Sequence, residues 1–170
     1  MRNIGLLTVV VVALLSRFLP HPPNATAVGA LAIFSGFAIR PRSLALLLPL
    51  LILVITDFAL GFHDTMLFTY GAWALVAVLS MAVLRNYSSL RLALMSLTAS
   101  TVFFLISNLG VWFVGGLYPK TALGLSDCFV AALPFFGNQI AGDLIFTGAL
   151  FALWLELGKR IPALQKRLNA

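Results

Sequence analysis

Acidic residues are nearly missing from this chain. Five Asp and Glu stand against eleven Lys and Arg in 170 residues, and charges of both signs together make up only 9%. A soluble domain carries about 25% charged residues, so a mostly polar, water-facing surface is excluded. Cysteine is nearly missing too. Cys128 alone excludes an intramolecular disulfide framework and any CxxC metal knuckle, and it leaves the redox compartment undetermined. No HExxH, GxSxG or P-loop glycine and lysine pattern occurs. No zinc protease, serine hydrolase or ATPase of those types is therefore encoded, and we expect neither an enzyme nor a cofactor.

What is present is apolar. Hydrophobic residues make up 61% of the chain and the mean hydropathy is +1.05, as expected of an integral membrane protein. The apolar runs do not alternate every second residue as barrel strands do, so they read as helices. The formal charge of +6 could suggest nucleic acid. Its Lys and Arg, however, sit at the ends of apolar runs, where they act as topology signals, and no nucleic-acid partner is expected.

Six spans can be drawn, at about 4–19, 22–39, 44–62, 66–84, 90–114 and 137–157. The first resembles a signal peptide, with Arg2 before an apolar core and an Ala25-Thr26-Ala27 string downstream. Arg17, His21, Pro22 and Pro23 make the gap to that string too long and polar, so a retained transmembrane helix is expected. Between the fifth and sixth spans, Ala122 to Leu133 is too short to cross and is followed by Pro134, which predicts a short extra helix in the outer loop. The expected fold is an all-α membrane protein, a six-transmembrane-helix bundle forming one domain over 1–170, with no internal repeat.

The positive-inside rule sets the orientation. With both termini cytoplasmic, Arg2, Arg40, Arg42, Arg85, Arg91, Lys159, Arg160, Lys166 and Arg167 share one side, and only Arg17 and Lys120 fall on the other. Asp57, Asp64, Asp127 and Asp143 gather in the outer half, with Glu156 alone near the cytoplasmic end. His21, Asn24, His63, Asn108, Tyr118, Asn138 and Gln139 join them there, making the outer half polar.

Several of these residues could carry chemistry. Asp57 lies about five positions before the end of the third span, where an ionisable group needs a cavity or a partner. It suits a ligand contact or a structural pairing, with Arg17 or with backbone donors in the outer loops. His63 and Asp64 follow in the next turn, where a neutral imidazole could take a metal or a proton, or simply be solvated. Gln139, Asp143 and Thr147 recur at i, i+4 and i+8 and line one helical face aimed into the bundle. Asn108 and Trp112 share a face before the Gly115-Gly116 break and Tyr118. The aromatic pair suits an interfacial belt or a hinged lid over a flat ligand. Cys128 reads as a small buried hydrophobe or, less readily, as a soft metal ligand, and no metal site is assigned.

Four stretches, RFLPHPPNATAVGALAIFSG, LVITDFALGFHD, NLGVWFVGGLYPKT and AALPFFGNQIAGDLIFTGALF, resemble a group of small bacterial membrane proteins without an assigned function. That group is similar to the substrate-binding S components of energy-coupling factor (ECF) transporters. The resemblance covers about 17–151. It implies a six-helix bundle in the bacterial inner membrane that binds a vitamin or metal ion with outer loops one, three and five. Those loops are here 18–24, 61–65 and 115–136. It also implies a transmembrane coupling protein and ATPase subunits as partners. The shared coupling motif, an alanine-rich AxxxA on the first helix, is reduced here to Ala13, while Ala25, Gly29, Ala32 and Gly36 give small-residue spacing on the second span. Should cobalamin be the cargo, His21, His63 and Cys128 are the side chains able to meet its cobalt.

The expected function is that of a substrate-binding membrane subunit for small-solute uptake. Asn24, Asp57, His63, Asp64, Asn108, Trp112, Tyr118, Gln139 and Asp143 are its candidate site. The rival readings are a stand-alone proton-coupled transporter or channel, with Asp57 and Asp143 as proton carriers, and a non-catalytic scaffold subunit.

Overall fold

The second apolar run folds as the core of the molecule. In the computed structural model, which describes residues 2–159, six helices and no strand are found among those residues. They are α1 (Arg2–Leu15), α2 (Val28–Ala38), α3 (Arg42–Leu60), α4 (Met66–Val83), α5 (Ser89–Val114) and α6 (Ala122–Lys159). Met1, Arg160, Lys166 and Arg167 lie outside the described residues.

Four helices, α3 to α6, are long and apolar enough to cross a membrane. Helix α2 is not, because its 11 residues rise only about 16 Å against a hydrocarbon core of about 30 Å. The 14 residues of α1 rise about 21 Å. The second span therefore differs from its expected extent: His21 to Ala27 is loop and turn, and helix begins only at Val28. Asn24 holds a positive φ of 67°, a left-handed conformation that asparagine tolerates better than most residues. That turn and the two prolines before it hold off the start of the helix.

A helix apolar all round belongs inside a bundle, and α2 meets that expectation. All residues from Val28 to Gly36 are buried, and α2 packs against each of the other five helices. Its small residues allow the close approach. A Cβ on Gly36 would stand 2.6 Å from the carbonyl oxygen of Ala77 on α4. Hydroxyls fasten it further, with Ser80 Oγ donating to Ile33 O at 2.6 Å and Ser35 Oγ donating to Ala45 O at 2.8 Å. The small-residue spacing of this segment thus serves packing within the chain. Below it, Phe34 and Phe37 meet Phe151 and Trp154 of α6 through tilted and edge-to-face contacts at 5.3–6.4 Å between centroids.

The outer surface carries the apolar residues. Leu44, Leu47, Leu51, Ile55 and Phe58 form an exposed row along α3 at helical spacing. The polar residues Thr56, Asp57, Ser80, Ser96, Ser100, Gln139, Asp143 and Thr147 are buried. An apolar exterior over a bundle that buries polar side chains beside its apolar core is the arrangement a lipid solvent selects.

The segment expected to form a separate short helix is helical, but it does not end at Pro134. It runs without a break into the last span, giving a 38-residue α6 with Pro134 in its interior. Proline removes one backbone donor and crowds the carbonyl four residues back, and membrane helices absorb this through neighbouring groups. At 1.5 Å per residue α6 measures about 57 Å, so it reaches well past the length a span needs.

The helices alternate in direction, so the connections fall at two ends. Arg40, Arg42, Arg85 and Arg91 lie at one end, in or next to the α2–α3 and α4–α5 turns. Arg17, His21, His63, Asp64 and Lys120 lie at the other.

Candidate functional site

The connections at the Arg17 end open onto a cavity of about 460 Å³. Its rim comes from Arg17, His21 and Asn24 in the α1–α2 connection and from His63 and Thr65 between α3 and α4. Its floor includes Trp73, Phe103 and Gln139. Trp73 and Phe103 stack on each other, with centroids 4.6 Å apart and planes 19° from parallel. No Asp or Glu lines this cavity among the described residues, while one guanidinium and two imidazoles do.

Asp57 sits behind the rim. It is 1% exposed, and Arg17 Nη2 donates to its Oδ1 at 2.5 Å while the Tyr70 hydroxyl donates to its Oδ2 at 2.7 Å. The His63 ring nitrogen Nε2 stands 3.9 Å from the same Oδ2. Of the two roles open to Asp57 from sequence, pairing with Arg17 is the one seen. With both oxygens engaged, this carboxylate orients the guanidinium at the cavity wall and does not itself line it. A helical residue four positions before Gly61, whose φ of 108° ends α3, is thereby tied to the chain leaving α1.

Asp143 lies one turn beneath Gln139 on α6 and is fully buried. Gln139 Nε2 and Ser100 Oγ both donate to its Oδ2, each at 2.7 Å. Its Oδ1 has no partner. That atom faces Gly29 of α2, where a Cβ would collide with it and would stand 2.9 Å from the Trp73 ring. Glycine is required there by this close approach. One turn further along α6, Thr147 Oγ1 is also buried without a partner, as is Ser96 Oγ on α5. Ser96 and Thr147 line a second cavity of about 200 Å³ near the Arg85 end, together with Tyr87 and Ser89.

The expected site residues divide accordingly. Asn24, His63, Asn108 and Gln139 line the larger cavity. Asp57 and Asp143 stand behind it, one against the rim and one under the floor. Asp64 is exposed in the α3–α4 turn. Trp112 and Tyr118 do not line the cavity. The Trp112 Nε1 instead donates to Pro119 O at 2.9 Å, Lys120 Nζ donates to the Trp112 carbonyl and to Gly115 O at 2.7 Å, and the ammonium sits 5.6 Å from the indole centroid. This aromatic and lysine clip holds the 115–121 turn closed on itself. Asn108 bonds back to Phe104 O at 2.7 Å, and Cys128 is buried with its thiol 3.5 Å from Asn108 O.

Trp73, Phe103, Ser96, Ser100 and Tyr70 are contributors that were not singled out from sequence. The serine pair had a readable signal, since positions 96 and 100 repeat the i, i+4 polar spacing of Gln139, Asp143 and Thr147. No group of three or more His, Cys, Asp or Glu able to hold a metal ion occurs among the described residues. Neither the curated proteins nor the solved structures contain a match to this chain. A family model does match, over residues 1–164, and the chain belongs to that family of unknown function, DUF6580.

Proposed function

We propose that this chain is the substrate-binding membrane subunit of a small-solute uptake system, in the manner of ECF S components, with both termini on the cytoplasmic side of a bacterial inner membrane. The observation that carries the proposal is the cavity of about 460 Å³ at the end poor in basic residues. It falls within the roughly 300–1,000 Å³ range of small-molecule sites and combines an aromatic floor with a few convergent polar groups. With Arg17 already paired to Asp57 and no carboxylate among the described lining residues, the wall favours a neutral solute over a cation. Phe103, only partly buried and stacked on the buried Trp73, presents an aromatic surface that favours a flat ring. A vitamin-class organic molecule therefore fits better than a metal ion. A coupling protein and ATPases would supply the energy, since the chain carries no nucleotide-binding loop.

The test is native mass spectrometry on protein purified in mild detergent from its own type of cell. A bound organic molecule is expected, and it should be lost from Phe103→Ala protein that still runs as a folded species. A ligand-free mass accompanied by tightly held partner proteins would overturn the proposal in favour of a scaffold subunit.

A further inference from the structure

Between the two cavities lies a carboxyl group with no counter-ion. Gln139 opens onto the larger cavity, and Ser96 and Thr147 open onto the smaller one. Asp143 is placed midway between Gln139 and Thr147, within about 12 Å of helix rise. We propose that Asp143 is a reversible proton-binding site between the two cavities.

An ionised carboxylate inside a bundle costs several kcal/mol unless a cation faces it. The groups against Asp143 are Ser100 of α5, Gln139 of α6 and Gly29 of α2, with the Trp73 ring of α4 beside Gly29. None of them titrates in the relevant range or carries charge. On α3, Asp57 is taken up by Arg17 and by Tyr70 of α4. On α5, Arg91 stands nine residues before Ser100, at the helix start. On α6 itself, Asp127 and Glu156 lie about 24 and 20 Å away along the axis.

The hydrogen bonds leave one oxygen free for the proton. Both neutral donors reach the same oxygen, Oδ2, which is the arrangement a carboxylic acid's carbonyl oxygen accepts. The bare Oδ1 is then the hydroxyl end, from which the proton leaves and to which it returns. Buried polar atoms without partners are rare, yet three of them, Ser96 Oγ, Asp143 Oδ1 and Thr147 Oγ1, fall on this short stretch. Ser96 and Thr147 line the smaller cavity with their hydroxyl oxygens buried, so a turn of the Thr147 side chain is what would open a proton path from Asp143 to it. A turn of the Gln139 side chain away from Oδ2 exposes the same carboxyl to the larger cavity.

The proton site goes beyond the uptake function above and does not supply its energy. The proton site is measured without solute, so its failure and a failure to find a bound ligand are separate results. The experiment is infrared difference spectroscopy on proteoliposomes in which the pH is changed on one side at a time, faster than the vesicles leak. A carboxylic acid C=O band is expected near neutral pH, removed by alkaline buffer applied on either side. It should be absent from Asp143→Asn and kept in Asp127→Asn, whose side chain is exposed. Ser100→Ala removes one of the two bonds to Oδ2 and should move the band to higher frequency, a result that does not depend on Asp143→Asn folding. A band unchanged in both Asp143→Asn and Ser100→Ala, or one that responds from a single side only, overturns the proposal.

Discussion

At the scale of single residues, the Arg17–Asp57 pair shows how a membrane interior handles charge. Asp57 is 1% exposed and Arg17 is 18% exposed on their side chains, so each is held in a medium where a lone charge is costly. Removing one partner of a buried pair typically costs about 3–5 kcal/mol because the other stays behind, whereas replacing both by uncharged residues of similar volume is far milder. Arg17→Met should therefore lower the unfolding midpoint in detergent strongly. The Arg17→Met, Asp57→Asn double variant should recover most of the loss. Thermal unfolding of the two variants beside the parent checks this, and equal losses in both would mean the pair contributes through something other than charge balance. The sequence allowed this pairing but left it level with a ligand role, because nothing along the chain tells which of two residues 40 positions apart will meet. Asp143 was legible for a different reason. Its spacing from Gln139 and Thr147 is local, and a helix turns local spacing into a shared face.

At the scale of elements, the long spans were readable and the short ones were not. Helices α3, α4 and α5 start and stop within two residues of the runs expected from hydropathy, because each is bounded by Pro, Gly or polar turn residues at both ends. Helix α2 was overextended, since hydropathy does not distinguish a span facing lipid from a core helix ringed by other helices. Pro134 suits a helix stop, yet the freed backbone is accommodated and α6 continues. The role of the 115–121 turn was equally hidden. Trp112 and Tyr118 suited a lid, but the indole N–H is spent on Pro119 O. Trp112→Phe deletes that bond, worth about 0.5–1.5 kcal/mol, while keeping the ring. Amide hydrogen exchange should rise over 115–121 and stay unchanged in α3 and α4, and affinity for the copurified solute should hold. A large loss of affinity would restore the lid.

At the scale of the whole molecule, the two ends differ in charge and in opening. The end with Arg40, Arg42, Arg85 and Arg91 holds the smaller cavity, and the end with Arg17 and Lys120 holds the larger one. Positive residues in short loops stay on the cytoplasmic side during insertion, so charge alone predicts that the larger cavity faces outward, where a solute would be captured. Single cysteines placed at Arg85 and at Lys120, in protein whose buried Cys128 is replaced by Ala, make the orientation measurable in intact cells. Both positions are exposed, so a membrane-impermeant thiol reagent should label the Lys120→Cys protein at once and the Arg85→Cys protein only after the cells are opened. The reverse pattern would turn the larger cavity toward the cytoplasm. Capture from outside would then become release into the cell.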